Sequence, residues 1–291
     1  MNFKTAKFIN VNGKLLDLNV PRVMGILNVT PDSFYEQSRT MDWRDLVRRI
    51  RQMLHDGADI IDVGGCSTRP GADDVSPEEE KGRLERALEA IRYVSADAVV
   101  SVDTYRAQVA RWCVEKYGVA IINDISGGTL DADMFDVVAH TGVPYILTHI
   151  KGSPRTMQRC PTYKDVVREV NLFFSKRVEE LRERGVKDII LDPGFGFGKS
   201  ESHNYQLLNS LDNFRLHGLP LLVGVSRKSM IHHVLGVKPD QALNGTTVVN
   251  TICLMKGANI LRVHDVRPAV EAVKIIQQMK KEEEACFSSS H

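Results

Sequence analysis

The chain has 291 residues, 43% hydrophobic and 26% charged, enough to bury a substantial core. Its formal net charge is +1 with both signs interspersed, so neither nucleic acid nor an anionic membrane is a bulk electrostatic partner, and any basic site must be local. No run reaches the roughly 18 apolar residues of a membrane span, and five scattered cysteines without C-x-x-C spacing argue against a disulfide framework or structural zinc, so a soluble, cytoplasmic protein is expected.

In chain order, Phe8 to Leu18 holds the pair Asn12-Gly13 between apolar runs and predicts a β-hairpin. Eight short, β-branched apolar runs follow: Val23 to Val29, Asp59 to Gly65, Val99 to Thr104, Ala120 to Ser126, Tyr145 to Ile150, Asp188 to Gly194, Leu221 to Ser226 and Ile260 to Asp265. Between and after them, Trp43 to His55, Pro77 to Val94, Ala107 to Lys116, Tyr163 to Arg184 and Pro268 to Lys280 repeat apolar residues at three and four positions, the helical period. This alternation predicts an α/β protein, a single (β/α)8 barrel of the TIM type with an N-terminal hairpin plugging its bottom. An open doubly wound sheet of this length would have fewer strands or a second domain. One domain is expected, with the hairpin over 8–18, the barrel over 22–280 and a disordered tail over 281–291, where KKEEEACFSSSH is charged and serine-rich.

Parallel barrels bind ligands at the carboxyl ends of their strands. There the chain places Asn28, the Ser67-Thr68-Arg69 turn, Asp103, Asn123 with Asp124, His149, Asp192, Ser226 with Arg227 and Lys228, and Arg262 with His264. A lone Asp or Asn at a strand end usually caps a helix or stabilises a turn, and Asp124 and Ser126 are read that way. Asp103, opening DTYRAQV, fits the same reading. Asp192 does not, because Pro193 and Gly194 follow at once and leave no run of N–H groups to cap. His149 reads as a packed rim histidine. The stretch Gly194 to Ser200 fails the P-loop spacing, having Pro193 where a glycine is required, and fails G-x-G-x-x-G at Lys199. Arg69, Lys228, Arg262 and His264 converge from different strand ends and suggest a phosphorylated ligand. Two carboxylates and an amide in one apolar mouth suggest a ligand rich in N–H donors.

The segments MGILNVTPDSF, GADIIDVGG with STRPGA, INDISGG, LDPGFGFGKS, VGVSRKSMI and NGT with LRVHDV resemble, in order, the successive motifs of the dihydropteroate synthase family, spanning nearly the whole chain. The resemblance implies a transferase that condenses a dihydropterin pyrophosphate with p-aminobenzoate, loses pyrophosphate, and passes through a pterin cation with no protein nucleophile. It implies that Asp192 binds the amino-pyrimidine edge of the pterin and that Asp103 and Asn123 complete that frame. It further implies that Lys228 reaches the pterin carbonyl and ring nitrogen and that Phe197 lies near the ring. By the same resemblance Asn28 holds Mg²⁺ with the pyrophosphate, and Arg262 and His264 hold the leaving anion. Asp32 and Phe34 on one loop and Thr68, Arg69 and Pro70 on another close the second site, and Ser229 meets the p-aminobenzoate carboxylate. A homodimer using faces near the C-terminal helices is also implied.

Some positions depart from the family. Cys66 stands where GGESTRPG has Glu, the first loop continues FYEQSR, and LTHIKG replaces the common LMHMRG, which puts Thr148 and Ile150 near the expected pterin site. These changes bear on loop behaviour, p-aminobenzoate affinity and sulfonamide sensitivity, and Cys66 reads as an inert half-buried thiol. A pterin-dependent methyltransferase would not need the anion site of Arg262, His264 and SRKS. A catalytically silent pterin-binding paralogue would not need Asp32, Phe34, Thr68 and Arg69.

Overall fold

Asn12 and Gly13 both take positive φ, 53° and 81°, the backbone twist that a two-residue hairpin turn demands. They join β1 (Phe8–Val11) to β2 (Lys14–Asp17) in antiparallel register. In this computed structural model, residues 7–30, 42–67, 75–153, 157 and 161–288 are described. The chain then lays down eight parallel strands: β3 (Arg22–Asn28), β4 (Ile60–Gly64), β5 (Val99–Asp103), β6 (Ile121–Asp124), β7 (Tyr145–Thr148), β8 (Ile189–Asp192), β9 (Leu222–Val223) and β10 (Ile260–Val263). Their order is β8-β7-β6-β5-β4-β3-β10-β9, and a parallel bridge between Leu191 and Leu221 joins the two ends into a nearly closed barrel.

Helices surround it: α1 (Trp43–His55), α2 (Pro77–Val94), α3 (Ala107–Tyr117), α4 (Met134–Thr141), α5 (Val166–Glu183), α6 (Glu201–Asn209), α7 (Ser229–Leu235), α8 (Leu243–Met255) and α9 (Val266–Ser288). Their boundaries have local causes. Ser76 caps α2 by accepting from Glu79 N at 3.1 Å, with Pro77 in the first turn. Asp165 caps α5 by accepting from Arg168 N at 3.0 Å, so that helix starts at Val166, later than the expected Tyr163. Among the described residues no helix is long and apolar enough to cross a membrane.

Strand alternation divides the apolar residues between two cores. Ile61, Val63, Val102, Ile122 and Leu147 face outward and pack with the helices. Met24, Ile60, Ile121, Ile146, Ile190, Leu222 and Ile260 face the lumen and meet Ile9, Val11 and Leu18 of the hairpin segment, which forms the barrel floor. Long-range bonds hold the hairpin segment there: Asn10 N donates to Asp188 Oδ2 at 3.1 Å, Asn12 Nδ2 to Gly118 O at 2.8 Å, and Asn259 Nδ2 to Leu18 O at 3.2 Å. With the floor sealed by aliphatic groups, the period of two carries Asn28, Asp62, Asp103, Asn123, Thr148, Asp192 and Arg262 into the upper lumen.

Two expectations are corrected. The segment expected to be a disordered tail continues α9 through Ser288, because Lys, Glu and Ala are strong helix formers and nothing in KKEEEACF breaks the turn. The expected strand Leu221 to Ser226 is a ladder over Leu222–Val223 with a single bridge at Leu221 before it. Its continuation leaves the ladder and enters the Ser226-Arg227-Lys228 turn, where Arg227 adopts a left-handed φ of 57°.

Candidate functional site

Parallel register sets a row of groups along one side of the mouth: Asn28 lies beside Gly64, Gly64 beside Asp103, and Asp103 beside Asn123. Arg262 crosses the lumen from β10 to meet this row. Its Nε donates to Asp62 Oδ2 at 2.7 Å and its Nη2 to Asp103 Oδ2 at 2.6 Å. Asn123 Nδ2 donates to the same Asp62 oxygen at 3.0 Å. Burial pushes the Asp103 carboxyl up, against the pull of Arg262 and with that of Asp62. Burial would lower Arg262, but the two carboxylates outweigh it and hold the guanidinium charged. Asp103 caps no helix, since α3 begins after Arg106.

On the opposite side, Asp192 accepts from Gly194 N at 2.8 Å, so it does bond a backbone N–H, contrary to the sequence reading. This is an Asx-type turn that commits one oxygen; the other takes no hydrogen bond from the described residues. Burial raises its pKa while Lys228 opposes the rise. Lys228 donates to Phe195 O and lies 4.5 Å from the centre of the Phe197 ring. Burial brings its pKa down to about 8, with Asp192 resisting. Phe197 closes a turn by donating its N–H to Gly194 O at 3.0 Å. The loop is fastened by buried Lys199, which donates to Gly194 O at 2.9 Å and Phe197 O at 3.1 Å and contacts His149 Nδ1 at 2.9 Å. His149 is thus packed and spoken for, its pKa depressed by burial and then by Lys199. Thr148 lies beside Asp192 in register, and both it and Ile150 are buried.

An open cleft is lined by Ile26, Asn28, Gly224, Ser226, Lys228, Arg262 and His264. Within it His264 Nδ1 meets Ser226 Oγ at 3.1 Å, and burial, then Arg262, lowers the imidazole to about 3. Ser229 is the first residue of α7 and is exposed. Asp124 accepts from Ser126 N at 2.7 Å, Gly128 N at 2.8 Å and Tyr145 Oη at 2.7 Å, which makes it a turn residue and not a ligand group. Cys66 is half-buried, and burial followed by Glu80 raises its thiol.

The fold therefore brings Asn28, Asp103, Asn123, Asp192, Phe197, Lys228, Arg262 and His264 around one mouth. Asp32, Phe34, Thr68, Arg69 and Pro70 lie outside the described residues. Sequence reasoning missed Asp62 and Lys199. The signal for Asp62 was present, a single carboxylate in the otherwise apolar run IIDVG at even spacing from Gly64. Lys199 had no such signal, since a lysine in a glycine-rich loop ordinarily points to solvent.

A sealed barrel floor lies beneath a mouth in which each side pairs acceptors with a cation, Asp103 and Asn123 with Arg262 on one and Asp192 with Lys228 on the other, the layout of a (β/α)8 small-molecule enzyme. Residues 24–264 match the family model described as pterin binding enzyme. Dihydropteroate synthase of Escherichia coli K12 is 46% identical over 267 residues, covering 91% of this chain and 94% of the relative. That of Haemophilus influenzae is 43% identical over 91% of this chain and 96% of its own. The Yersinia pestis dihydropteroate synthase solved with a sulfonamide drug complex superposes with a TM-score of 0.89 at 41% identity, over 94% of this chain and 99% of that one. The Xanthomonas albilineans enzyme solved with 4-aminobenzoic acid gives 0.86 at 37% identity, over 95% and 99%. The chain belongs to the pterin-binding enzymes and, among them, to the dihydropteroate synthases, which are transferases.

Proposed function

We propose that the barrel condenses 6-hydroxymethyl-7,8-dihydropterin pyrophosphate with p-aminobenzoate to give 7,8-dihydropteroate and pyrophosphate. The observation that carries this reading is the pairing, in one mouth, of an acceptor frame (Asp192, Asn123, Asp103) with the cations Arg262 and Lys228. The Xanthomonas relatives solved with 4-aminobenzoic acid and with 7,8-dihydropteroate support the second substrate and the product.

In the proposed reaction the bond between the pterin methylene carbon and the pyrophosphate oxygen breaks, and its electron pair leaves with pyrophosphate. The amine nitrogen of p-aminobenzoate then forms the new C–N bond and releases a proton to solvent. Asp192 and Asn123 hold the pyrimidine edge, and Lys228 meets the pterin carbonyl and ring nitrogen beside Phe197. Arg262 and His264 face the developing anion, where fixed donors act most strongly in a low-dielectric site. Asp32, Phe34, Thr68, Arg69, Pro70 and Ser229 position the amine and its carboxylate.

Mg²⁺ belongs to the same reading. Asn28 offers an amide oxygen, and a Cβ at Gly64 would stand 3.2 Å from it, so the missing side chain keeps that approach open. One such hard donor, with phosphate oxygens and water, suits an ion that seldom takes an all-protein cage. Bound there, it would supply charge neutralisation to the departing pyrophosphate. We place the protein in a reducing cytoplasm, consistent with free Cys66, Cys113 and Cys253. We further propose a homodimer through α8 and α9, which together expose Val248, Met255, Ile275 and Met279.

The test is pyrophosphate release from the dihydropterin substrate with Mg²⁺, with p-aminobenzoate present or withheld. Release coupled to dihydropteroate formation is expected; turnover of neither substrate would overturn the proposal.

A further inference from the structure

The Asp62 side chain is fully buried, 0% exposed, yet among the described residues only one of its oxygens is bonded. Oδ2 accepts from Arg262 Nε and Asn123 Nδ2, while Oδ1 has no hydrogen-bond partner among the described residues. As a stability device this is poor, because a buried carboxylate with an idle oxygen is unfavourable, and a buried ion pair replaced as a whole by apolar groups is often neutral or stabilising. What the carboxylate does accomplish is orientation. With Nε held by β4 and Nη2 held by Asp103 on β5, the guanidinium plane is fixed by two strands, and Nη1 has no partner among the described residues. The effect on Asn123 is sharper. A carboxylate can only accept, so the amide atom facing it must be nitrogen, and the Asn123 oxygen is necessarily left as an acceptor for whatever enters the lumen.

We propose that Asp62 is a positioning residue that sets the hydrogen-bond polarity of the site, presenting Asn123 as an acceptor toward an N–H-bearing ligand edge and aiming Arg262 at the anionic end. The inference deepens the pterin reading and rests on it. Asp62 touches neither ligand; it works through two residues that do.

The full chain with Asp62 changed to Ala, Asn or Glu is titrated by calorimetry with pyrophosphate and, separately, with 6-hydroxymethylpterin, and thermal unfolding is followed for each. Asp62→Ala is expected to weaken both ligands about tenfold or more, the scale of one charge-assisted hydrogen bond. Asp62→Asn keeps an oxygen of the same reach toward Arg262 and Asn123 and should restore both affinities to within about threefold. Asp62→Glu keeps the charge but moves the acceptor by one methylene and should bind as weakly as the alanine variant. Coulomb attraction alone makes the opposite forecast: loss of a negative charge beside an anion site tightens pyrophosphate binding in both neutral variants. Pyrophosphate bound as tightly or more tightly by Asp62→Ala would overturn the proposal. Should that variant not fold, the other two decide, and Glu retaining affinity where Asn loses it would overturn positioning in favour of charge. Unchanged protein that fails to bind the pterin would overturn the functional reading together with this inference. Unchanged protein that binds it, with every variant equal, overturns this inference alone.

Discussion

Asp192 holds Gly194 N with one oxygen at 2.8 Å, so the identity of its second atom decides what a ligand meets. In Asp192→Asn the oxygen must stay on Gly194, which turns the amide nitrogen toward a ligand edge that itself donates. That mismatch costs about 2 kcal/mol, and calorimetry should show pterin affinity falling about tenfold or more with the circular dichroism spectrum unchanged. His264 carries a different expectation, one of pH. Its imidazole, lowered by burial and then by Arg262 to about 3 from an ordinary 6.5, is neutral in the folded protein at pH 7. Between those two values the unfolded chain binds a proton that the folded chain refuses, so the stability associated with this group is lost as pH falls from about 6.5 toward 3. Urea titrations should show His264→Gln losing less unfolding free energy than the unchanged protein between about pH 6.5 and pH 4. Neither residue's behaviour was legible in the sequence, because what decides it, a backbone N–H in a turn for Asp192 and burial beside Arg262 just past the end of β10 for His264, acts through geometry.

At the scale of elements, helices with strong end signals were the most readable. Trp43–His55 and Pro77–Val94 lie where their apolar spacing put them, and Ser76, Pro77 and the glutamates of the first turn mark one start unambiguously. Strand ends were less readable, since pairing stops where a neighbour's backbone turns away and composition carries no record of that. The loop after β8 is the element on which the candidate site depends most. Gly194 has φ +69°, and a Cβ there would lie 2.0 Å from His149 O. Gly194→Ala must therefore strain its own backbone and displace the end of β7, the link that Lys199 fastens. A loss of about 2 kcal/mol or more in urea unfolding is expected, together with weaker pterin binding as Asp192 and Phe197 shift.

For the whole molecule, the proposed pterin groups Asp103, Asn123 and Asp192 stand on strands and Phe197 and Lys228 on connections tied to them by hydrogen bonds, whereas most of those assigned to p-aminobenzoate belong to the stretches of sequence that follow β3 and β4. We therefore expect p-aminobenzoate to bind undetectably to the free protein but to bind once pterin, pyrophosphate and Mg²⁺ are present, a coupling of about 1 to 3 kcal/mol. Tight binding to the free protein in a calorimeter would refute ordered assembly. The proposed dimer makes a separate forecast. Val248 on α8 and Ile275 on α9 are 52% and 66% exposed, so lysine at both should leave the fold intact and convert a dimer to a monomer in light scattering.

What the sequence determined by itself was the barrel and the mouth. Strand-length apolar runs alternating with helical periods leave few architectures, and polar residues at the ends of those runs can gather only where parallel strands all point. The order of the motifs along the chain carries the family resemblance. What only the tertiary structure decided was which atoms of those residues are available. Arg262 and Asn123 share a carboxylate on β4, Asp192 has already committed one oxygen, and His149 is taken up by Lys199. Apart from the local Asp192–Gly194 turn, these are contacts between groups far apart in the chain. They arise from register and from the closing of the barrel, which no local pattern of residues encodes.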